Sequence, residues 1–567
     1  MAPMQLIAAF LKNHPEAAIF LSMAVGVVIG RVKVGAFSFG NATAVLIVAT
    51  ILGATVAGPL GLSYPPLLKT IAFALFVFAV GFHAGPQFFG SIGSTTLTQV
   101  ALACFVAAVG LACVLVATHA LGLDKGSAAG LAAGALTQTA LIGTALAALA
   151  DLGLAPDALA QAQADATVSY ALTYIFGTTA VIGFCSLVAP RLMGVSLKEE
   201  ARKLEIELAG DSAAPRQHAL SYRRFDARVY RVEHATGVTV AEVEAAIGER
   251  AVMHSIRRNG AAREPAPELA LQMGDEIVLT ARRAGLLKAE DVIGPELEGQ
   301  ALLGPNEGIQ TRVVVTKWEL TGRPLEEIIA KTGDTARGVY LVDVTRGGRS
   351  LPIAPRLELM IGDILELVGR PADVARVTAL IGAKYPYNER ADLAWLGLGL
   401  FGGTLLGALS LKSGGLVLTL GGGGGILIGG LLAGWYNSRH PLVGGIPHEA
   451  IRFAWDLGLA LFVAVLGLSA GPSAAAALAA RGPSVLIAGV VVTLIPMFAA
   501  VYFGRYVLRM NPVLLCGALA GSMTQDAAML AASEVAESAT PVLGFTVPYA
   551  IANVLLTLLG PLIVTLV

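Results

Sequence analysis

Two short polar triplets stand inside long apolar stretches: Thr137-Gln138-Thr139 and Thr524-Gln525-Asp526. Hydroxyls and amides withdrawn from water need hydrogen-bond partners. A carboxylate accepts such bonds, and a Gln carbonyl oxygen accepts one from an ammonium. The competing use is polar glue between helices, worth roughly 1 kcal/mol per bond. The triplets differ at their last position, where Thr139 aligns with Asp526. An ionisable carboxylate in a membrane-type segment points to a functional site. Asp526 could hold a substrate ammonium, a coupling proton or a cation; a plain salt bridge or a protonated acid is the alternative.

A second pair of motifs is Gly85-Pro86 and Gly471-Pro472, the latter followed by Ser473. Proline removes a backbone donor and clashes with the preceding turn, so each pair is expected to interrupt or kink its helix. Freed N–H groups at a half-helix N-terminus suit a carboxylate; a packing kink without ligand contact is the other reading. His83 lies inside the first motif, where its counterpart is Ser469, either as a proton-sensitive group or as a hydrogen-bonded structural histidine. Arg452 and Asp456 are four apart on one helical face. A mutual ion pair is their first reading, and a clamp on a substrate carboxylate is the second for Arg452. Asn553 aligns with Tyr174 and could line a cavity or bond a neighbouring helix.

The candidate substrate-binding set is therefore Gly85, Pro86, Thr137, Gln138, Thr139, Gly471, Pro472, Ser473, Thr524, Gln525, Asp526 and Asn553. The candidates for coupling or gating are His83, Asp526 and Arg452. No nucleophile–base pair or metal-ligand spacing supports an enzyme, and no cofactor is implied. The fingerprint-like Gly397–Gly402 segment sits inside an apolar span rather than at a strand-to-helix turn. The Gly421–Gly425 run has no adjacent lysine for a phosphate loop and reads as a device for close packing or a mobile break.

The elements that must position these residues are duplicated. ALFVFAVGFHAGP from Ala74 returns as ALFVAVLGLSAGP from Ala460, GLAAGALTQTA from Gly130 as GALAGSMTQDA from Gly517, and VSYALTYIFGT from Val168 as VPYAIANVLLT from Val547. A duplicated membrane half is a common architecture of secondary transporters, with substrate bound where the halves meet. Spans are expected at about 16–31, 43–61, 65–83, 96–122, 126–150 and 166–190, and at about 392–410, 414–436, 450–471, 482–507, 512–532 and 541–566. The two polar-bearing segments, 126–150 and 512–532, fit broken or re-entrant helices buried in protein. The first span reads as retained rather than cleaved.

Charge separates the middle from the flanks. Of the 79 residues formed by Lys+Arg 39 and Asp+Glu 40, 56 lie between Leu197 and Arg390. The net charge of −1 gives no footing to nucleic-acid binding. The four cysteines stand in apolar stretches and read as small core residues. Within the middle, LALQMGDEIVLTA from Leu269 resembles LELMIGDILELVG from Leu357. Each follows a strand-like alternation and a short helical pattern, which predicts two small domains of strand, helix and strands. The expected division is a first transmembrane half at 1–196, regulatory domains at 197–298 and 299–388, and a second transmembrane half at 389–567. Five crossings per half would make the halves inverted. Arg191, Lys198, Arg202 and Lys203 beside the fusion favour a cytoplasmic middle.

Gly81-Phe-His-Ala-Gly-Pro86, Gly467-Leu-Ser-Ala-Gly-Pro472, Thr137-Gln138 and Thr524-Gln525, together with paired central domains, resemble the aspartate:alanine exchanger family over essentially the whole chain. The central domains look like the C-terminal domains of potassium-conductance regulators. The resemblance implies an α-helical polytopic protein of the bacterial inner membrane, with two inverted-repeat halves and two small central α/β regulatory domains. It implies an antiporter of amino acids or dicarboxylates, aspartate for alanine foremost, working by alternating access in an elevator-like manner. The implied partners are those substrates, the lipid bilayer and a second copy in a homodimer, with a small ligand on the central domains as an open option. An ion-coupled, succinate-type organic-acid transporter gated by the central domains is the alternative.

Overall fold

The computed structural model describes residues 9–34, 37–38, 40–90, 97–209, 225–248, 251–263, 265–297, 309–385, 391–413, 416–419, 421–440 and 444–567. The expected domain borders at 298–299 and 388–389 lie outside the described residues. The chain separates into two compact units. One comprises Met1–Glu205, Gly347–Arg349 and Pro386–Val567; the other comprises Ile206–Arg346 and Ser350–Tyr385.

The first unit is helical. In chain order its main helices are α1 (Glu16–Gly30), α2 (Asn41–Leu52), α3 (Pro66–Gly90), α4 (Leu97–Leu121), α5 (Lys125–Ala135), α6 (Thr139–Asp151), α7 (Pro156–Gly183), α8 (Leu393–Ala408), α9 (Gly421–Arg439), α10 (His448–Tyr502), α11 (Pro512–Ser522), α12 (Asp526–Ala536) and α13 (Pro541–Leu566). Short π-helical turns extend α2, α7 and α10. Seven helical segments among the described residues are long and apolar enough to cross a membrane.

Packing repeats as the sequence does. α1 lies on α2 as α8 lies on α9, and α5 on α7 as α11 on α13. Across the halves, α2 meets α10 as α9 meets α3, and α7 meets α10 as α13 meets α4. Such matched contacts fit an inverted repeat. Glycine permits the closest approaches. A Cβ on Gly130 of α5 would stand 2.1 Å from the Ala166 carbonyl oxygen, and one on Gly517 of α11 would stand 1.9 Å from that of Pro541. Backbones this close gain dispersion contacts that a larger residue would forbid.

Of the two expected outcomes at the Gly-Pro pairs, interruption does not occur: both helices continue through them. Pro86 lies inside α3, and Pro472, Pro483 and Pro496 lie inside α10. The expected spans 450–471 and 482–507 are both present, as the membrane-length segments His448–Ala479 and Gly482–Val507, carried on one continuous helix of 55 residues with its π-helical turn. A proline forfeits one ladder bond, but packing against neighbouring helices can hold the rest of the turn together. Gly85 approaches the Leu431 carbonyl of α9, and Gly471 approaches the backbone of Gly53 beside α2. These motifs place small residues at helix crossings. The Gly397–Gly402 segment is interior to α8, and the glycine run opens α9. There Gly425 lies against Gly403 and Gly407, a close-packing role. Of the cysteines, Cys185 and Cys516 are buried, whereas Cys104 is exposed and Cys113 partly so. The core reading therefore fails for Cys104, whose apolar side chain faces outward on α4.

Among the described residues the second unit contains two larger antiparallel sheets and a two-stranded one that pairs Arg323–Pro324 with Glu358–Leu359. In one, strands Phe225–Arg231, Glu276–Arg282, Val252–Arg258 and Ala261–Arg263 are neighbours in that order. Helix Val240–Ile247 packs Val243 and Ile247 into its core and starts with a reciprocal capping box between Thr239 and Glu242. In the other, Val339–Arg346, Ile364–Gly369, Ile309–Val315 and Gly382–Lys384 are neighbours.

The internal repeat of this unit carries a duplicated ion pair. Gly274 and Gly362 hold φ values of 83° and 84°, open to glycine and strained for other residues. Each turn delivers an aspartate into the interior. Asp275 takes Nε and Nη2 of Arg258 at 2.9 and 2.7 Å; Asp363 takes Nε and Nη2 of Arg346 at 2.7 Å each. Each arginine also donates to a carbonyl, Ala270 or Glu358, and each aspartate accepts a backbone N–H, from Gln272 or Met360.

Candidate functional site

The breaks in the helical unit fall at the polar triplets. α5 and α6 are separated by Leu136–Gln138, and α11 and α12 by Met523–Gln525. α5 and α6 have 11 and 13 residues, about 17 and 20 Å of helix. Neither reaches the ~30 Å of a hydrocarbon core. Thr137 and Thr524 both adopt the left-handed region, at φ 53° and 51°. For a β-branched residue this conformation is a true outlier, held by its surroundings. Gln138 and Gln525 then match at φ −114°, ψ 95° and φ −115°, ψ 96°. Each glutamine is the residue that precedes a new helix.

The two breaks touch. The Thr137 hydroxyl donates to the Met523 carbonyl, and the Thr524 hydroxyl donates to the Thr137 carbonyl at 3.1 Å. Two helix N-termini, of α6 and α12, therefore start from one crossing. Their unpaired N–H groups carry partial positive charge. Each glutamine reaches into the opposite half: Gln138 Nε2 donates to Asn553 Oδ1 at 3.1 Å, and Gln525 Nε2 donates to Thr178 Oγ1 at 3.2 Å. Asn553 is itself held by Nδ2 donating to the Tyr549 carbonyl at 2.9 Å. The hydroxyls of Thr139 and Tyr170 pair at 2.8 Å. Thr137, Gln138, Thr139, Gln525 and Asn553 are all buried.

Asp526 departs from this buried set. Its side chain is 51% exposed and accepts a hydrogen bond from Nη2 of Arg349. Arg349 belongs to the same unit by its contacts. Its guanidinium carbon lies 4.2 Å from the Phe545 ring centroid and 5.3 Å from that of Tyr549.

The remaining candidates lie elsewhere. Gly85, Pro86, Gly471, Pro472 and Ser473 are internal to α3 and α10, so they supply no freed helix terminus. The His83 ring is 5.4 Å from that of His448 and 6.1 Å from Trp455. Arg452 and Asp456 do not close to ion-pair distance. Both are exposed on α10. Sequence reasoning missed Arg349, Phe545 and Thr178. Thr178 ends a repeated motif and aligns with Thr557, a signal that was available. Arg349 follows Gly347-Gly348 in the charged middle, where nothing local marks it as part of the helical unit.

A family model described as "Predicted Permease Membrane Region", named Asp-Al_Ex, matches residues 18–190 and 395–565. The chain belongs to the aspartate:alanine exchanger family. An uncharacterized transporter of Bradyrhizobium diazoefficiens is 44% identical over 562 residues, covering 99% of each chain. One from Zymomonas mobilis is 37% identical over 572 residues and all of both chains, and one from Bordetella parapertussis is 37% identical over 573 residues, 99% of this chain and 98% of its own. No solved structure matches. The protein is a secondary transporter, a multi-pass inner-membrane protein whose central domains are cytoplasmic.

Proposed function

We propose that the protein is an antiporter of amino acids or dicarboxylates, aspartate for alanine foremost, with its substrate site at the crossing of the two broken helix pairs. The observation that carries this reading is the reciprocal contact of Thr137 and Thr524, which brings two helix N-termini together beside one half-exposed carboxylate, that of Asp526. The N-termini and the amides of Gln138, Gln525 and Asn553 suit substrate carboxylates; Asp526 suits the ammonium. Thr139 and Tyr170 complete the first-half wall. In this reading α5–α6 and α11–α12 are re-entrant hairpins buried in protein. They travel with their half-site past a scaffold in an elevator-like motion, and the scaffold dimerises to stay fixed. His83 and Arg452 stand beside the path as candidates for coupling, and the central domains regulate.

The test is counterflow. Labelled aspartate uptake into proteoliposomes should require internal alanine or aspartate and stop in empty vesicles. Uptake that ignores internal substrate but collapses with a proton or sodium gradient would move the protein to the ion-coupled alternative, with Asp526 as coupling site.

A further inference from the structure

Asp526, Phe545 and Tyr549 form the walls of a cation site. Asp526 supplies a carboxylate at the first turn of α12, and the two aromatic residues present faces from successive turns of α13. Aromatic faces attract a cation through the ring quadrupole, most strongly where water is excluded. Phe545 is fully buried and Tyr549 is 8% exposed. Their rings stack at 4.9 Å, giving one continuous apolar wall.

The occupant of that site is a side chain of the protein. Arg349 Nη2 donates to Asp526, with the guanidinium over Phe545. Its approach is fixed by the two residues before it. Gly347 and Gly348 have φ values of 55° and 73°, and a Cβ on Gly348 would stand 2.8 Å from Nε2 of His448. The Gln87 amide, oriented to satisfy both groups, accepts from the Gly347 N–H at 3.2 Å and donates to the His83 carbonyl at 2.7 Å. The turn is thus hydrogen-bonded to α3 and lies close against His448 of α10.

We propose that Asp526, Phe545 and Tyr549 constitute a subsite for a primary ammonium group, and that Arg349 is a tethered competitor that fills it in this conformation. The inference rests on the exchange reading for its biological use, but the subsite itself does not. A substrate bearing an ammonium must displace Arg349, which lowers its apparent affinity by the fraction of molecules left open. A dicarboxylate without an ammonium does not compete for this subsite. Arg349 therefore tunes the balance between amino acids and plain diacids.

The experiment is calorimetric titration of the purified full-length protein with propylammonium, L-alanine and succinate, followed by exchange assays in proteoliposomes. Arg349→Gln is expected to bind propylammonium and L-alanine at least ~10-fold more tightly than the parent, with succinate unchanged. Arg349→Gln combined with Asp526→Asn should lose the gain. Arg349→Lys, which keeps the charge, should stay near the parent and shows that position 349 tolerates change. Equal propylammonium binding by the parent and Arg349→Gln overturns the proposal. So does weaker L-aspartate and succinate binding in Arg349→Gln restored by Arg349→Lys, which would make Arg349 a carboxylate ligand. If no amino acid is exchanged yet Arg349→Gln gains propylammonium affinity through Asp526, the subsite stands and the exchange reading falls.

Discussion

Thr137 and Thr524, 387 positions apart, share one left-handed backbone conformation, and each donates its hydroxyl to a carbonyl of the opposite break. The link costs conformational strain at both residues, of order 1–3 kcal/mol each. Its two hydrogen bonds return roughly 1 kcal/mol apiece. The arrangement thus stores strain where the halves meet, which suits a junction that must separate and re-form.

Substitution at Thr524 separates strain from hydroxyl. Thr524→Gly removes both, and glycine enters the left-handed region freely. Thr524→Ala removes the hydroxyl but keeps a Cβ there. The glycine variant should unfold at the same temperature as the parent or above it, and the alanine variant lower, by about 1 kcal/mol. Both should lose roughly 10-fold in exchange rate, corresponding to one hydrogen bond of ~1.4 kcal/mol. Parent-like exchange in Thr524→Gly would show that the hydroxyl link is not used in transport.

Close packing of α11 on α13 rests on Gly517. Gly517→Ala would push a methyl group to 1.9 Å from the Pro541 carbonyl oxygen, and backbone cannot swing away as a side chain can. Overpacking of this kind costs about 1–3 kcal/mol. Gly397 of α8 has nothing within 4 Å of a new Cβ, so Gly397→Ala should be neutral or slightly stabilising through helix propensity. Thermal unfolding in detergent should lower the midpoint for Gly517→Ala and leave it unchanged or raised for Gly397→Ala.

The crossing was legible because its residues are the wrong kind for lipid. Thr137, Gln138, Thr524 and Gln525 interrupt apolar runs at matched positions, and Asp526 breaks the match. Local chemistry misled at Pro86 and Pro472. A proline rule describes one helix alone, whereas Gly85 and Gly471 at their sides settle against neighbouring backbones, and the helices continue past both prolines. Arg349 was illegible for a different reason. Its partner lies 177 residues on, and its neighbours belong to a charged soluble pattern. Asp275 and Asp363 were half legible: the Gly-Asp turns stood out, but not the arginines they bury.

Asp363 carries a buried charge pair that should dominate the stability of its sheet. Its side chain is 0% exposed and that of Arg346 is 6%. Asp363→Asn leaves the guanidinium without a carboxylate, a change that costs about 3–5 kcal/mol. Joint replacement, Asp363→Leu with Arg346→Met, removes both charges and should recover most of that loss. Hydrogen exchange of strand Ile364–Gly369 in the full-length protein reads both effects. The single variant should exchange far faster, and the double variant should approach the parent.

The central unit should also weaken in acid through His254. Burial, with the Arg370 guanidinium adding to it, pushes this imidazole from its ordinary 6.5 down to about 4. Its Nδ1 has no hydrogen-bond partner among the described residues, and its ring lies 6.4 Å from that of Tyr340. The fold therefore holds the neutral form. Between pH 6.5 and 4 the unfolded chain binds a proton that the folded chain refuses, so stability falls as pH drops through this window and is independent of this group above it. The loss should be on the order of 2–3 kcal/mol by pH 4. His254→Gln cannot titrate, so its unfolding midpoint should change less over the same interval, as measured by hydrogen exchange of strand Val252–Arg258 at a series of pH values corrected for the intrinsic rate. Identical pH slopes for parent and variant would place the acid sensitivity in other groups.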